Sequence, residues 1–290
     1  AHALFESNQP ESAIQFLESS EIDLGSAGRF WLAQSRAANG AWSAALDAYT
    51  ECLAQTNLPL HKEALIGRAR MLQNLDRYPE AEETLAPAIN WPASPLRTIA
   101  CQELAALRLD RKDSRGALEI LDQISADSPL AKTRQDFLLA RAAILENDNE
   151  QALKLLAPLV PLDSTMATDT ALLYSTALTR SGRHQEAENL LEEFIAANPN
   201  MAGLNRIFSE LDQIYSGAAS ASASELKRWT EDVNPSLRRK LACYYLARLS
   251  ARQKNPQAAL ALLEKLSTEP GPNPFEWETR LETAELRLRL

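Results

Sequence analysis

The chain is poor in several things at once. Among its 290 residues are nine glycines, three cysteines, three histidines and eight lysines, against 22 arginines. The scarcity of glycine comes with the absence of a glycine-rich phosphate loop, and neither HExxH nor GxSxG occurs. Cys52, Cys101 and Cys243 are odd in number and far apart. They form no CxxC pair and no disulfide framework, and are expected to be small buried hydrophobes. His2, His61 and His184 lie in different parts of the chain, so no metal, cofactor or catalytic cluster is expected. His184 is read as a packing residue, His2 and His61 as surface residues. Acidic pairs such as Glu82-Glu83 and Glu192-Glu193 read as solvated helix faces.

No apolar run reaches the roughly 18 residues that span a bilayer, so direct membrane insertion is not expected. A net charge of −9 argues against nucleic-acid binding through a broad basic surface, which needs clustered Lys and Arg. No stretch rich in Val, Ile and Thr alternates with period two, so a sheet has no support. Abundant alanine and leucine favour helix instead.

What the chain does have is a repeat. GAWSAALDAYTECL (40–53) returns as DRYPEAEETLAPAI (76–89) and KDSRGALEILDQI (112–124). It returns again as NDNEQALKLLAPLV (147–160), GRHQEAENLLEEFI (182–195) and KNPQAALALLEKL (254–266). Aligning one small residue gives Ala45, Ala81, Ala117, Ala152, Ala187 and Ala259, separated by 36, 36, 35, 35 and 72. The last gap is two periods, so a degenerate copy is expected across 204–233 with Ala223 in the slot. QPESAIQFL adds Ala13 at the start. Each period holds two helical segments with apolar residues at spacings of three and four. Alanine recurs because two antiparallel helices on a short turn need a small side chain where their axes come closest; overpacking there costs about 1–3 kcal/mol. Each hairpin keeps an apolar face that the next one covers.

Ser94-Pro95, Ser128-Pro129 and Asn234-Pro235 read as caps followed by proline at the first helical position. Asn198-Pro199 closes one period and opens the next, and Ser222 with Glu225 matches a capping box. Pro87 and Pro158 are expected to end or bend two second helices. Residues 216–224 (SGAASASAS) read as a flexible loop or a hinge. Trp91 is either an exposed contact or covered by the next helix.

The pattern resembles the tetratricopeptide repeat over nearly the whole chain. Its small first-helix residue matches Ala33, Ala69, Ala105, Ala140, Ser175 and Ala247. Its aromatic slot matches Trp42, Tyr78 and His184, and its bulky second-helix slot Tyr49, Leu85, Leu121, Leu156, Leu191 and Leu263. The period of 35–36 departs from the family's usual 34, and only Asn198-Pro199 shows the closing proline cleanly. The resemblance implies an all-α fold: a right-handed α-α superhelix, a solenoid of about seven to eight hairpins running as one array over 1–290. Ala1 would lie inside a first helix, and 275–290 would be a first helix without its second, so a piece of a longer chain is expected. The spacing is similar to divergent bacterial versions, including envelope-associated ones, which would put the protein in the periplasm or envelope.

The resemblance also implies a concave face built from first helices. Three residues before the small one stand Phe30, Ile66, Gln102, Phe137, Leu172, Phe208 and Tyr244; directly after it stand Gln34, Arg70, Ala106, Arg141, Thr176, Asp212 and Arg248. Two readings follow for the apolar row: packing between hairpins, or anchors of a groove in which Phe30, Ile66, Phe137, Leu172, Phe208 and Tyr244 stand beside Arg70, Arg141 and Arg248. The groove would take a protein or peptide segment with apolar and acidic groups. Family members that grip a terminal carboxylate carry lysine and asparagine at these slots, and this chain has neither. The expected function is therefore a non-enzymatic protein-interaction scaffold. A structural spacer or self-assembly module is the alternative.

Overall fold

The computed structural model describes residues 2–7, 9–19, 24–54, 60–126, 128–160, 166–217, 223–233, 236–271 and 273–289. Among these residues there is helix and no strand. The chain divides into two compact units at Asn147/Asp148.

The first unit contains α1 (His2–Glu6), α2 (Pro10–Glu18), α3 (Gly25–Ala38), α4 (Trp42–Leu53), α5 (His61–Asn74) and α6 (Tyr78–Leu85). A 3-10 turn at Ala86–Asn90 follows, then α7 (Pro95–Asp110), α8 (Ser114–Leu121) and α9 (Pro129–Leu145). Helices pair as antiparallel hairpins, α3 with α4, α5 with α6 and α7 with α8. Each second helix also packs on the next first helix. The second unit contains α10 (Asn149–Leu156), α11 (Ala167–Arg180), α12 (His184–Ala197), α13 (Leu204–Gly217), α14 (Ser224–Thr230), α15 (Leu237–Arg252), α16 (Pro256–Thr268) and α17 (Glu276–Arg289).

The repeat alanines explain the pairing. Ala13, Ala45, Ala81, Ala117, Ala152, Ala187 and Ala259 each occupy the fourth residue of their helix and are fully buried. Their first-helix counterparts Ala33, Ala69, Ala105, Ala140, Ser175 and Ala247 are buried too. The three cysteines are free and buried, and burial pushes their thiols above the ordinary value. That makes them packing groups rather than nucleophiles.

The turns are as periodic as the helices. The residue five before each small residue, namely Gly40, Asp76, Lys112, Asn147, Gly182 and Lys254, has φ between 58° and 76°. A left-handed residue ends a helix sharply by satisfying its last carbonyls. Only glycine adopts it without Cβ strain. Lys112 and Lys254 are exposed there. Lys112→Gly and Lys254→Gly are each expected to stabilise the protein by about 0.5–1 kcal/mol. Urea unfolding checks this, and a lowered midpoint for both variants would refute the strain argument.

Caps follow the sequence in part. Ser94 accepts from the Arg97 amide at 3.2 Å and Ser128 from the Ala131 amide at 3.1 Å. Asp113, Asp148 and Asn255 cap second helices in the same way. Asn234 and Pro235 lie outside the described residues; α15 starts at Leu237, with Ser236 as its cap. α6 and α10 end before Pro87 and Pro158, as the missing amide requires.

The degenerate copy departs most. α14 has seven residues, and Ala223 precedes it with φ 42° instead of lying inside it. Ser222 is outside the described residues, as are 218–222 of the serine-rich loop. Trp229 fills the hairpin instead, its ring 5.7 Å from Phe208. The loop after α12 bypasses this short hairpin to hold α15. Arg238 donates its amide to the Pro199 carbonyl at 2.9 Å and its guanidinium to the Ala196 carbonyl at 3.0 Å.

His184 corrects another expectation. It opens α12 and is exposed, as is Trp42 at the equivalent place, while Tyr78 there is half-buried and Ser114 buried, so the slot by itself does not fix burial. His61 is exposed as expected, while the side chain of His2 is outside the described set. Trp91 is half-buried beneath the Lys62 ammonium, 5.2 Å from the ring centre.

Candidate functional site

In the first unit the first helices α3, α5 and α7 stand side by side and enclose a groove of about 300 Å³. This is at the lower end of the size of small-ligand or side-chain sites. Phe30 from α3 and Ile66, Gly67 and Met71 from α5 form the floor. Leu96 and Ile99 from α7 form one wall, and Gln34 and Ala37 the other. Glu63 and Arg70 stand at its edge, and the Tyr49 ring reaches in from α4. Tyr49 is placed by Gly67. A Cβ on that glycine would stand 2.3 Å from Tyr49 Cζ, so the ring lies directly on the α5 backbone. Burial pushes the Tyr49 phenol well above its ordinary value, with the Arg70 charge opposing, so it stays neutral.

Arg70 belongs to a ladder of ion pairs across three first helices. Its Nη2 lies 2.7 Å from Glu103 Oε1 of α7, and Arg134 of α9 places Nη2 2.8 Å from Glu103 Oε2. The Glu103 carboxylate is buried, with both guanidinium groups more exposed. Two cations thus share one carboxylate. Further along, Arg141 Nη2 is 2.7 Å from Asp110 Oδ1, whose other oxygen accepts from Gln73 at 3.2 Å.

The expected face residues are therefore distributed as follows. Phe30, Ile66 and Arg70 meet at the groove. Phe137 is buried on α9, with Arg141 paired to Asp110 nearby. In the second unit Leu172 is half-buried on α11. Phe208 and Tyr244 are buried and joined through Tyr245, in a cluster that runs from Trp229 to Phe275. Arg248 lies over the Tyr244 and Tyr245 rings, 3.8 Å from Asp212, which also binds Arg252. Phe137, Phe208 and Tyr244 of the apolar row are thus buried, while Phe30 and Ile66 line the groove.

Reasoning from two slots per repeat missed Glu63, Ile99 and Arg134, which stand six residues before the small residue, and Ala37 and Gln73, which stand four after it. Carrying the register to those slots finds them. Leu96 and Tyr49 have no such signal, because they come from outside that face. Among the described residues no group of three His, Cys, Asp or Glu is placed to hold a metal ion. None of the described helices is long and apolar enough to cross a membrane.

No family model matches the chain, and no curated protein matches it. Solved structures do. A tetratricopeptide-repeat protein from Parabacteroides merdae is 12% identical with a TM-score of 0.53, over 91% of this chain and 98% of that one. A chain of the APC/C hetero-tetramer Cut9–Hcn1 is 12% identical with a TM-score of 0.59, over 98% of this chain and 47% of that one. With the buried alanines, the paired helices and the left-handed turns already described, this chain has the fold of a divergent tetratricopeptide-like repeat, an all-α superhelix of helical hairpins.

Proposed function

We propose that the protein is a non-enzymatic protein-interaction scaffold whose first unit holds a segment of a partner protein in the α3–α5–α7 groove. The observation that carries this reading is an apolar floor of Phe30, Ile66 and Met71 with Arg70 at its edge. An aliphatic or aromatic side chain fits that floor, and its burial is the main source of affinity. Arg70 keeps 48% of its side chain exposed while its partner Glu103 is buried, so its guanidinium offers a contact for an acidic group beside the apolar anchor, against the charge of Glu63 in the same lining. The remaining expected residues, Phe137, Arg141, Leu172, Phe208, Tyr244 and Arg248, are not part of the proposed groove.

Selection from a random displayed-peptide library tests it. The wild-type protein is expected to enrich sequences with an apolar residue next to Asp or Glu. Arg70→Ala is expected to lose the acidic preference, and Ala37→Trp, which fills the groove, to abolish capture. Peptides that bind Ala37→Trp as well as the wild type would refute the groove.

A further inference from the structure

Tyr49 carries a polar atom that the packing does not use. The residue is 1% exposed and lines the groove, yet its hydroxyl has no hydrogen-bond partner among the described residues. A buried hydroxyl left unpaired is costly, and in the free protein only solvent entering the groove can meet it. Burial raises the phenol further than the Arg70 charge lowers it, so it stays protonated and can donate.

The other repeats show that closing a hairpin does not require this hydroxyl. The same second-helix slot holds Leu85, Leu121, Leu156, Leu191 and Leu263, all fully buried. Tyrosine is admitted here together with a second departure. Two residues before the small residue, the following first helix carries Gly67, where the next three copies have Glu103, Leu138 and Leu173. Glycine inside a helix is unfavourable relative to alanine, and at Gly67 it lets the Tyr49 ring lie on the α5 backbone. Both departures run against what packing and helix propensity favour. What they add chemically is one donor in the groove.

The surroundings of that donor identify the group it suits. Arg70 holds Glu103 through Nε at 2.8 Å and Nη2 at 2.7 Å, which fixes the guanidinium. Its Nη1 makes no bond to a described residue. The groove thus offers two donors, one neutral and buried, one cationic at the edge. A carboxylate accepts from both, whereas an amide turns N–H groups of its own toward them. Glu63 stands seven residues from Arg70, about 10 Å along α5, and the cation acting on the phenol is Arg70. A side-chain carboxylate reaches such a floor on its own carbons while its backbone stays at the rim. A chain-terminal carboxylate would carry peptide groups down onto Phe30, Ile66 and Met71, where they would go unpaired.

We infer that the Tyr49 hydroxyl, together with Arg70, seats a side-chain carboxylate of the partner segment on the groove floor. This role depends on the groove proposed above, and it makes Tyr49 the residue that tells an acid from its amide there.

Tyr49→Phe removes the hydroxyl and leaves the ring. Its urea midpoint is expected to equal that of the wild type, because the hydroxyl has no partner inside the protein. Selection uses a displayed random-peptide library flanked on both sides by constant Gly-Ser residues, so that no free terminus reaches the groove. The wild type is expected to enrich Asp and Glu over Asn and Gln beside the apolar residue, and Tyr49→Phe to cut that ratio about tenfold. An unchanged ratio in Tyr49→Phe, with the ratio lost in Arg70→Ala and capture lost in Ala37→Trp, would overturn the hydroxyl's role and leave the groove standing. Capture that survives Ala37→Trp would remove both. A lowered midpoint for Tyr49→Phe would place the hydroxyl's bond inside the protein, and acidic enrichment seen only with free C-termini would overturn the side-chain assignment.

Discussion

Gly67→Ala is expected to destabilise the protein by about 1–3 kcal/mol, although helix propensity alone predicts a gain of about 1 kcal/mol. Gly67 lies inside α5, where alanine is the preferred residue. The added methyl would stand 2.3 Å from Tyr49 Cζ, 2.5 Å from its hydroxyl and 2.6 Å from Cε1. These are ring atoms, not the end of a flexible chain. Tyr49 is 1% exposed and its ring meets Phe30 edge-on at 6.1 Å, so the groove is the one side on which the structure shows room for it. The clash is relieved by moving α4 away from α5 or by turning the ring into the groove, and either disturbs the packing of Phe30. The measurement is urea unfolding of Gly67→Ala, Tyr49→Leu and the double variant. The shorter side chain at position 49 leaves room for the methyl, so the double variant should be more stable than the two single effects summed. A stabilised Gly67→Ala would show that the ring yields freely, and would remove the account of how the groove floor is built.

Trp229→Ala is expected to cost about 3–5 kcal/mol, the usual range for deleting a buried tryptophan. The residue is 1% exposed, with Phe208 against one edge and the Arg238 guanidinium 5.9 Å from its ring centre. α14 holds no alanine in the fourth-residue slot that closes the other hairpins. Bulk has replaced close approach: the two helices of this copy are joined through an aromatic ring. The same substitution at Trp42, an exposed helix-opening residue, should cost under about 1 kcal/mol. Denaturation of the two variants side by side decides the matter. Equal, small losses would mean that the aromatic cluster is not what holds the degenerate copy.

The arginines show where reading the sequence stops. Arg70, Arg141 and Arg248 share a slot and look like a free cationic row. Their partners are Glu103, Asp110 and Asp212, which lie 33, 31 and 36 residues away. Nothing local announces such pairs, since they form only when successive first helices stand side by side. They brace the face as much as they charge it. Arg70 differs from the other two in bordering open volume as well as its partner, which is why the proposed specificity rests on it.

The amino-acid sequence alone determined the helices, their pairing into hairpins, the fourth-residue alanines and most of the caps. Those features depend on spacings of three and four, on one small side chain per period, and on turn residues next to each other in the chain. It also marked the 204–233 copy as irregular. Tertiary structure alone decided which apolar residues are covered, that Phe30 and Ile66 border a groove while Phe208 and Tyr244 lie in an aromatic core, and that His184 and Trp42 face solvent. It also decided that Trp229, rather than Ala223, closes the short hairpin. The reason is physical: a helix face is fixed by residues a turn apart, but whether that face meets water, a neighbour or a cavity depends on how far apart adjacent hairpins stand.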